Sequence, residues 1–124
     1  MTTQEIGKRY VALCQQGKND ECLDELYAKS AVSVEAAPLP GTTERTAKGL
    51  EAIKAKGKEW AASHVVHGAE VSGPFPNENR FGVYFVFDVT DKPTGKRMKM
   101  DEIGLFTVEN GKITREEFFY PTGN

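Results

Sequence analysis

Apolar positions recur at helical intervals in the first half of the chain, and from Val65 onward they recur at every second residue. Thr2–Thr3–Gln4–Glu5 has the spacing of a capping box, in which Thr2 and Glu5 each satisfy an orphan amide. Ile6, Tyr10, Leu13 and Cys14 then share one face of a first helix, which Gly17 stops. Asn19 or Asp20 caps a second short helix with Leu23, Leu26 and Tyr27 on one face. Ala31–Val32–Ser33–Val34–Glu35 reads as a short strand, and a loop rich in Pro, Gly and Thr runs from Ala37 to about Thr46. A third helix starts near Thr46 with Leu50, Ile53, Gly57 and Trp60 as its stripe, Gly57 allowing close packing against a sheet.

The period-two half predicts four strands. Val65, His67, Ala69 and Val71 alternate with polar residues up to Gly73–Pro74, and Phe81, Val83, Phe85, Phe87 and Val89 form a second row. A hairpin loop at Asp91–Lys92–Pro93–Thr94–Gly95 leads into a long strand with Met98, Met100, Glu102, Gly104 and Phe106 on one side. Asn110–Gly111 is the strongest hairpin signal, because both central positions of that turn need positive φ. Ile113 to Tyr120 closes the meander, and Pro121–Thr122–Gly123–Asn124 is a frayed end. The order α-α-β-α-β-β-β-β predicts one α+β domain over residues 1–124, a cone in which N-terminal helices close over a curved antiparallel sheet. A pocket is expected between the two layers.

Composition changes this picture only by exclusion. Lys/Arg and Asp/Glu are interleaved to a net charge of −2, so no basic stripe exists to neutralise a run of phosphates, and nucleic acid is not an expected partner. Lys54, Lys56 and Lys58 alternate with Ala55 and Gly57 and read as a solvated helix face. Cys14 and Cys22 have no metal-ligand spacing and read as free thiols of a reducing compartment. The chain starts without the features of a signal peptide and has no apolar run of membrane-spanning length, so a cytoplasmic protein is expected. Two histidines without regular carboxylate spacing suggest no metal site. A phosphate loop, a dinucleotide fingerprint and a nucleophile elbow around Ser33, Ser63 or Ser72 are all missing, so no cofactor is expected.

Four segments carry a likeness to a known family. They are Arg9–Tyr10–Val11–Ala12–Leu13 with Gly17, Leu26–Tyr27–Ala28 running into Ala31–Glu35, Gly49–Leu50–Glu51–Ala52–Ile53, and Phe106–Ile113 with Phe118–Phe119–Tyr120. In order and spacing they resemble the nuclear transport factor 2-like (cystatin-like) superfamily and, within it, the SnoaL-like and ketosteroid isomerase-like branch. That resemblance implies the cone fold, which hosts isomerases, cyclases, hydrolases, dehydratases and plain binding modules. It also implies a two-fold homodimer, since domains of this fold commonly pair through the sheet. Ketosteroid isomerases use a helix-one tyrosine, a general-base aspartate at the end of strand one and a protonated aspartate on a later strand. Tyr10 falls where that tyrosine does, but Ala36 stands at the base position and the second aspartate falls at or beside Gly104. Two of the three roles are therefore unfilled.

The residues themselves offer other acids. Glu102 shares its strand face with Met98, Met100 and Phe106, so alternation points it inward, unless the register turns Ile103 and Leu105 in instead. An inward carboxyl is desolvated and can act as a general acid or base near neutral pH. Glu116 alternates with Thr114, Phe118 and Tyr120, the parity that the family likeness assigns to the cavity, while Ile113, Arg115, Glu117 and Phe119 form the competing face. His67, on the row of Val65 and Val71, is a candidate base, with His64 a lesser one at a helix end. Tyr10 is a candidate hydroxyl donor, and Glu35 is a candidate only if a bulge turns it inward. Trp60, Phe85, Met98, Met100, Phe106, Phe118 and Tyr120 make up the apolar wall expected to touch a ligand.

Two readings follow. One is a binder of a small hydrophobic or amphiphilic molecule, extending to a cofactor-free acid–base enzyme of isomerase, cyclase, dehydratase or hydrolase type. The other is a non-catalytic interaction domain, suggested by Phe118–Phe119–Tyr120, which places rings on both faces of one strand.

Overall fold

A computed structural model describes residues 1–123; Asn124, the tip of the expected frayed end, lies outside them. The capping box forms as read: the Glu5 amide donates to Thr2 Oγ1 at 3.2 Å and the Thr2 amide to Glu5 Oε1 at 2.9 Å. It opens helix α1 (Thr3–Gln15), which buries Ile6, Gly7, Tyr10, Val11 and Leu13. Helix α2 (Asn19–Leu26) ends one residue before Tyr27, which instead begins strand β1 (Tyr27–Val34). A short strand β2 (Thr46–Lys48) pairs antiparallel with β1 where the third helix was expected to start. Helix α3 (Leu50–Ser63) starts only after Gly49, whose φ of +92° turns the chain out of β2.

Strands β3 (His64–Asn77), β4 (Arg80–Asp91), β5 (Lys96–Glu109) and β6 (Lys112–Phe119) complete a six-stranded, curved and unclosed sheet in the order β2-β1-β6-β5-β4-β3. Asn110 and Gly111 adopt φ of +51° and +75° in the β5–β6 hairpin, as an Asn-Gly turn requires. The β1–β6 pairing is parallel, which an unbroken antiparallel meander does not provide. Strand β3 does not stop at Gly73–Pro74; it runs on through a register shift between Ser72 and Phe75.

The three helices lie against one face of this sheet. Behind them the core is aromatic: Phe81 and Phe106 stack at 4.9 Å, and the Tyr10 ring sits 4.5 Å from Phe106 and 5.9 Å from Phe81. Phe81 and Phe106 are fully buried. Around Tyr10 the space between helices and sheet is thus packed with side chains. Gly104 shows how tightly: a Cβ there would lie 2.7 Å from the Phe106 ring and 3.1 Å from the Phe85 ring.

Candidate functional site

Polar groups gather where the Lys56 side chain of α3 reaches Ser33 on β1 and Glu116 and Phe118 on β6. Register decides which side chains reach it. On β5, Glu102 pairs opposite Phe85, Met100 opposite Phe87 and Met98 opposite Val89, so these residues face the helices and Ile103 faces outward, 51% exposed. On β6, Glu116 pairs with the buried Phe106 and Phe118 with Gly104, which turns Glu116, Phe118 and Tyr120 inward and leaves Phe119 outside. On β1, Ala31 and Ser33 are buried beyond a register shift between Tyr27 and Val32, and the same parity carries Glu35, just past the strand, inward. Glu35 therefore takes part in the site, bonded to Lys56 and Tyr120.

Glu116 is 4% exposed. The Tyr27 hydroxyl donates to its Oε1, and Ser33 Oγ donates to its Oε2 at 2.6 Å. Burial pushes the carboxyl upward in pKa, while Lys56, Ser33 and Tyr27 pull it back. The Lys56 ammonium donates to Ser33 Oγ and to Glu35 Oε2 at 2.8 Å, and lies 3.8 Å from Glu116 Oε2. It also sits 5.1 Å above the Phe118 ring. The Tyr120 hydroxyl donates to Glu35 Oε1 at 3.0 Å, and burial together with the Glu35 charge raises Tyr120 to about 12. Tyr27, Glu116, Ser33, Lys56, Glu35 and Tyr120 thus form one continuous network.

Glu102 stands beside that network without joining it. Its half-buried carboxyl is raised to about 7, first by burial and then by the Glu35 and Glu116 charges, against the opposing pull of Lys56. At neutral pH such a group is divided between acid and base. Lys56 and Glu35 side chains are each 20% exposed, so the site meets water at its mouth.

The remaining candidates lie elsewhere. Tyr10 is enclosed by Phe81, Phe85 and Phe106 rather than at a rim, and burial and the neighbouring Cys14 hold its hydroxyl protonated well above the usual range. His67 is exposed on the outer face, where its Nε2 meets Thr90 Oγ1 at 2.6 Å. A bulge between Val66 and Gly68 explains this, because it shifts the alternation and gives the inward face to Val66, Ala69 and Val71. His64 stacks on Trp60 at 4.4 Å, with Nδ1 2.8 Å from the Trp60 carbonyl and Nε2 3.8 Å from Asp91. Trp60, Met98, Met100, Phe118 and Tyr120 are half-buried around the network, with Phe85 and Phe106 beneath them.

Three members were missed from sequence. Lys56 was read as part of a solvated face, but the inward stripe is Ile53, Lys56 and Trp60, and a Cβ added at Gly57 would meet nothing within 4 Å. Tyr27 was assigned to the second helix and Ser33 was considered only as a nucleophile. The i, i+3, i+7 spacing of Ile53, Lys56 and Trp60 was the available signal. Among the described residues no three His, Cys, Asp or Glu side chains are placed to hold a metal ion. A surface depression of about 700 Å³ opens between α2, α3 and β1, lined by Asp24, Lys29, Leu50 and Lys54, but it contains none of Glu35, Lys56, Glu102 or Glu116. The convergence of acids, not that depression, marks the site.

A model of the SnoaL-like domain matches residues 1–120. The chain belongs to the SnoaL-like family. A candidate SnoaL-like polyketide cyclase from Mesorhizobium loti is 43% identical, superimposes with a TM-score of 0.90, and is covered over 100% of its length by 97% of this chain. An NTF2-like protein from Burkholderia thailandensis shares the fold at 17% identity, with a TM-score of 0.81 over 98% of this chain and 92% of that one. A protein of ketosteroid isomerase-like fold from Catenulispora acidiphila, solved with trimethylamine, does so at 20% identity and a TM-score of 0.73, over 98% and 88%. Curated proteins provide no match. No helix of this SnoaL-like chain, among the described residues, is long and apolar enough to cross a membrane.

Proposed function

We propose that this SnoaL-like protein binds a small hydrophobic molecule at the mouth of the cone and performs cofactor-free acid–base chemistry on it, with Glu102 carrying the proton. The observation that supports the reading is an inward, half-buried carboxyl raised to about 7 beside a network that leaves it unpartnered. As a carboxylate Glu102 removes a proton from a carbon next to a carbonyl; as an acid it returns that proton to another atom of the same molecule. Isomerisation, aldol cyclisation and dehydration all need that pair of steps. The resemblance puts the family's second aspartate at or beside Gly104, which is closely packed, and Glu102 offers a carboxyl on the same strand face two residues earlier.

Charge narrows the ligand. Lys56 already has Ser33, Glu35 and Glu116 around it, so among the described residues no cation of the network is left to receive an anionic group. A neutral ligand, or one with an amine, fits this surplus of carboxyl groups. Calorimetric titration with 4-phenylbutanol, 4-phenylbutylamine and 4-phenylbutyrate is the test. We expect the alcohol or amine to bind and the carboxylate to be rejected, with binding weakened in Glu102→Gln. Equal binding of the carboxylate, or of all three to the variant, would remove the reading. The two free cysteines suit a cytoplasmic setting for this chemistry.

A second reading concerns assembly and rests on a separate observation. Tyr84, Ile103 and Phe119 lie in register on adjacent strands of the outer face and are 40%, 51% and 48% exposed. Such a row supports a homodimer through the sheet. Light scattering at micromolar concentration tests it, and a monomer would reject it.

A further inference from the structure

Three carboxyl groups and one ammonium meet at the mouth of the cone: Glu35, Glu102 and Glu116 against Lys56. Building on the reading of Glu102 as the proton carrier, we infer that Lys56 is the positioning residue that gives Glu102 this role, by holding the other two carboxylates as its own partners. The assignment follows from which oxygen atoms are engaged. Glu116 accepts from Tyr27 at Oε1 and from Ser33 at Oε2; Glu35 accepts from Tyr120 at Oε1 and from Lys56 at Oε2. Each oxygen atom of both carboxylates is therefore engaged by a donor. Glu102 feels burial and charge but no hydrogen bond among the described residues. It is the one acid of the three that can take and release a proton without breaking the network.

Lys56 is suited to positioning rather than to contact with substrate. An ammonium has three donors, and here Ser33 Oγ, Glu35 Oε2 and Glu116 Oε2 surround it while the Phe118 ring lies beneath. Its placement comes from the helix: Ile53, one turn earlier, is buried, and Trp60, one turn later, is half-buried against Phe87. The side chain is 20% exposed, so most of it is held within the site.

The charged and titratable groups around the set are few. Glu102 is faced by Lys56 from α3, by Glu35 at the end of β1, by Glu116 on β6 and by Tyr120 just beyond it. Glu116 is faced in addition by Tyr10, Tyr27, Cys14 and Cys22. Lys56 is the single cation among them, so removing it leaves three carboxyls to share the burden of burial.

The test is a carbon-13 NMR titration of the glutamate carboxyls in the full-length protein and three variants, without any ligand. In Lys56→Met the Glu102 midpoint should rise, by about one pH unit, because the opposite charge that lowers it is lost. In Glu35→Gln it should fall, because a like charge is lost. In Lys56→Arg it should stay near the wild-type value. A lysine that only packs would alter stability without moving the Glu102 midpoint in these opposite directions. An unchanged midpoint in both Lys56→Met and Glu35→Gln would overturn the inference. If Lys56→Met does not fold, Lys56→Gln takes its place, and a Glu102 midpoint that does not rise in that variant overturns the inference. The titration needs no substrate, so a protein that binds no ligand would defeat the functional reading and leave this one standing.

Discussion

Replacing Glu102 by Gln keeps the shape of the side chain and removes its charge, so the cost of ionising this carboxyl in place becomes measurable as stability. In the folded protein burial and the Glu35 and Glu116 charges raise it from 4.5 to about 7. A group whose folded pKa lies above its unfolded value contributes stability below the unfolded value and loses it as pH rises through the folded one. The wild-type protein should therefore lose this contribution between about pH 4.5 and pH 7, while Glu102→Gln should not. The gap of roughly 2.5, at about 1.4 kcal/mol for each pH unit, gives about 3 kcal/mol, an upper figure because water reaches the mouth of the cone. Relative to wild type, the variant should gain less than about 1 kcal/mol at pH 5 and up to about 3 kcal/mol at pH 8. At pH 8 that corresponds to roughly 10 °C in melting temperature for a chain of this size. Urea denaturation of both proteins at the two pH values measures it. A difference that is the same at pH 5 and pH 8 would refute the reasoning, because it would mean that Glu102 ionises at no special cost.

Other substitutions test other parts of the account. Tyr27→Phe removes one of the two hydroxyl donors to buried Glu116 and should cost about 2 kcal/mol in urea denaturation at pH 7. Gly104→Ala should cost about 1–3 kcal/mol, since its Cβ would meet the buried Phe106 and Phe85 rings. Gly57→Ala, which points into open space within α3, should instead stabilise by about 0.5–1 kcal/mol, and the two glycines should separate clearly in thermal melts. Ile103→Lys, on the outer row, should convert a sheet-paired dimer into a monomer by light scattering and leave the Glu102 titration unchanged.

The sheet was legible because period two carries through long segments. Phe81 to Val89 and Met98 to Phe106 face the helices as alternation predicts, and Asn110–Gly111 sets the turn between the last strands. His67 broke the rule through a bulge, a one-residue insertion that no single-strand pattern reveals. Glu35 and Ser33 were obscured because β1 is short and lies between β2 and β6 with apolar residues on both faces, so Val32 and Val34 looked inward when Ala31 and Ser33 are. Lys56 was the largest gap. A lysine within an alternating charge run has the composition of a solvated face, and only the three-dimensional meeting of α3 with the ends of β1 and β6 gives it partners. The site is thus assembled from residues far apart in sequence, with Glu35 just beyond β1 and Lys56, Glu102 and Glu116 on α3, β5 and β6.

The most direct test of the account is the carboxyl titration of Glu102 in the unmodified protein, followed by carbon-13 NMR from pH 4 to pH 9. A midpoint near 7 is predicted, from burial beside the Glu35 and Glu116 charges; a midpoint at the ordinary 4.5 would show a solvated carboxylate and contradict its role as proton carrier.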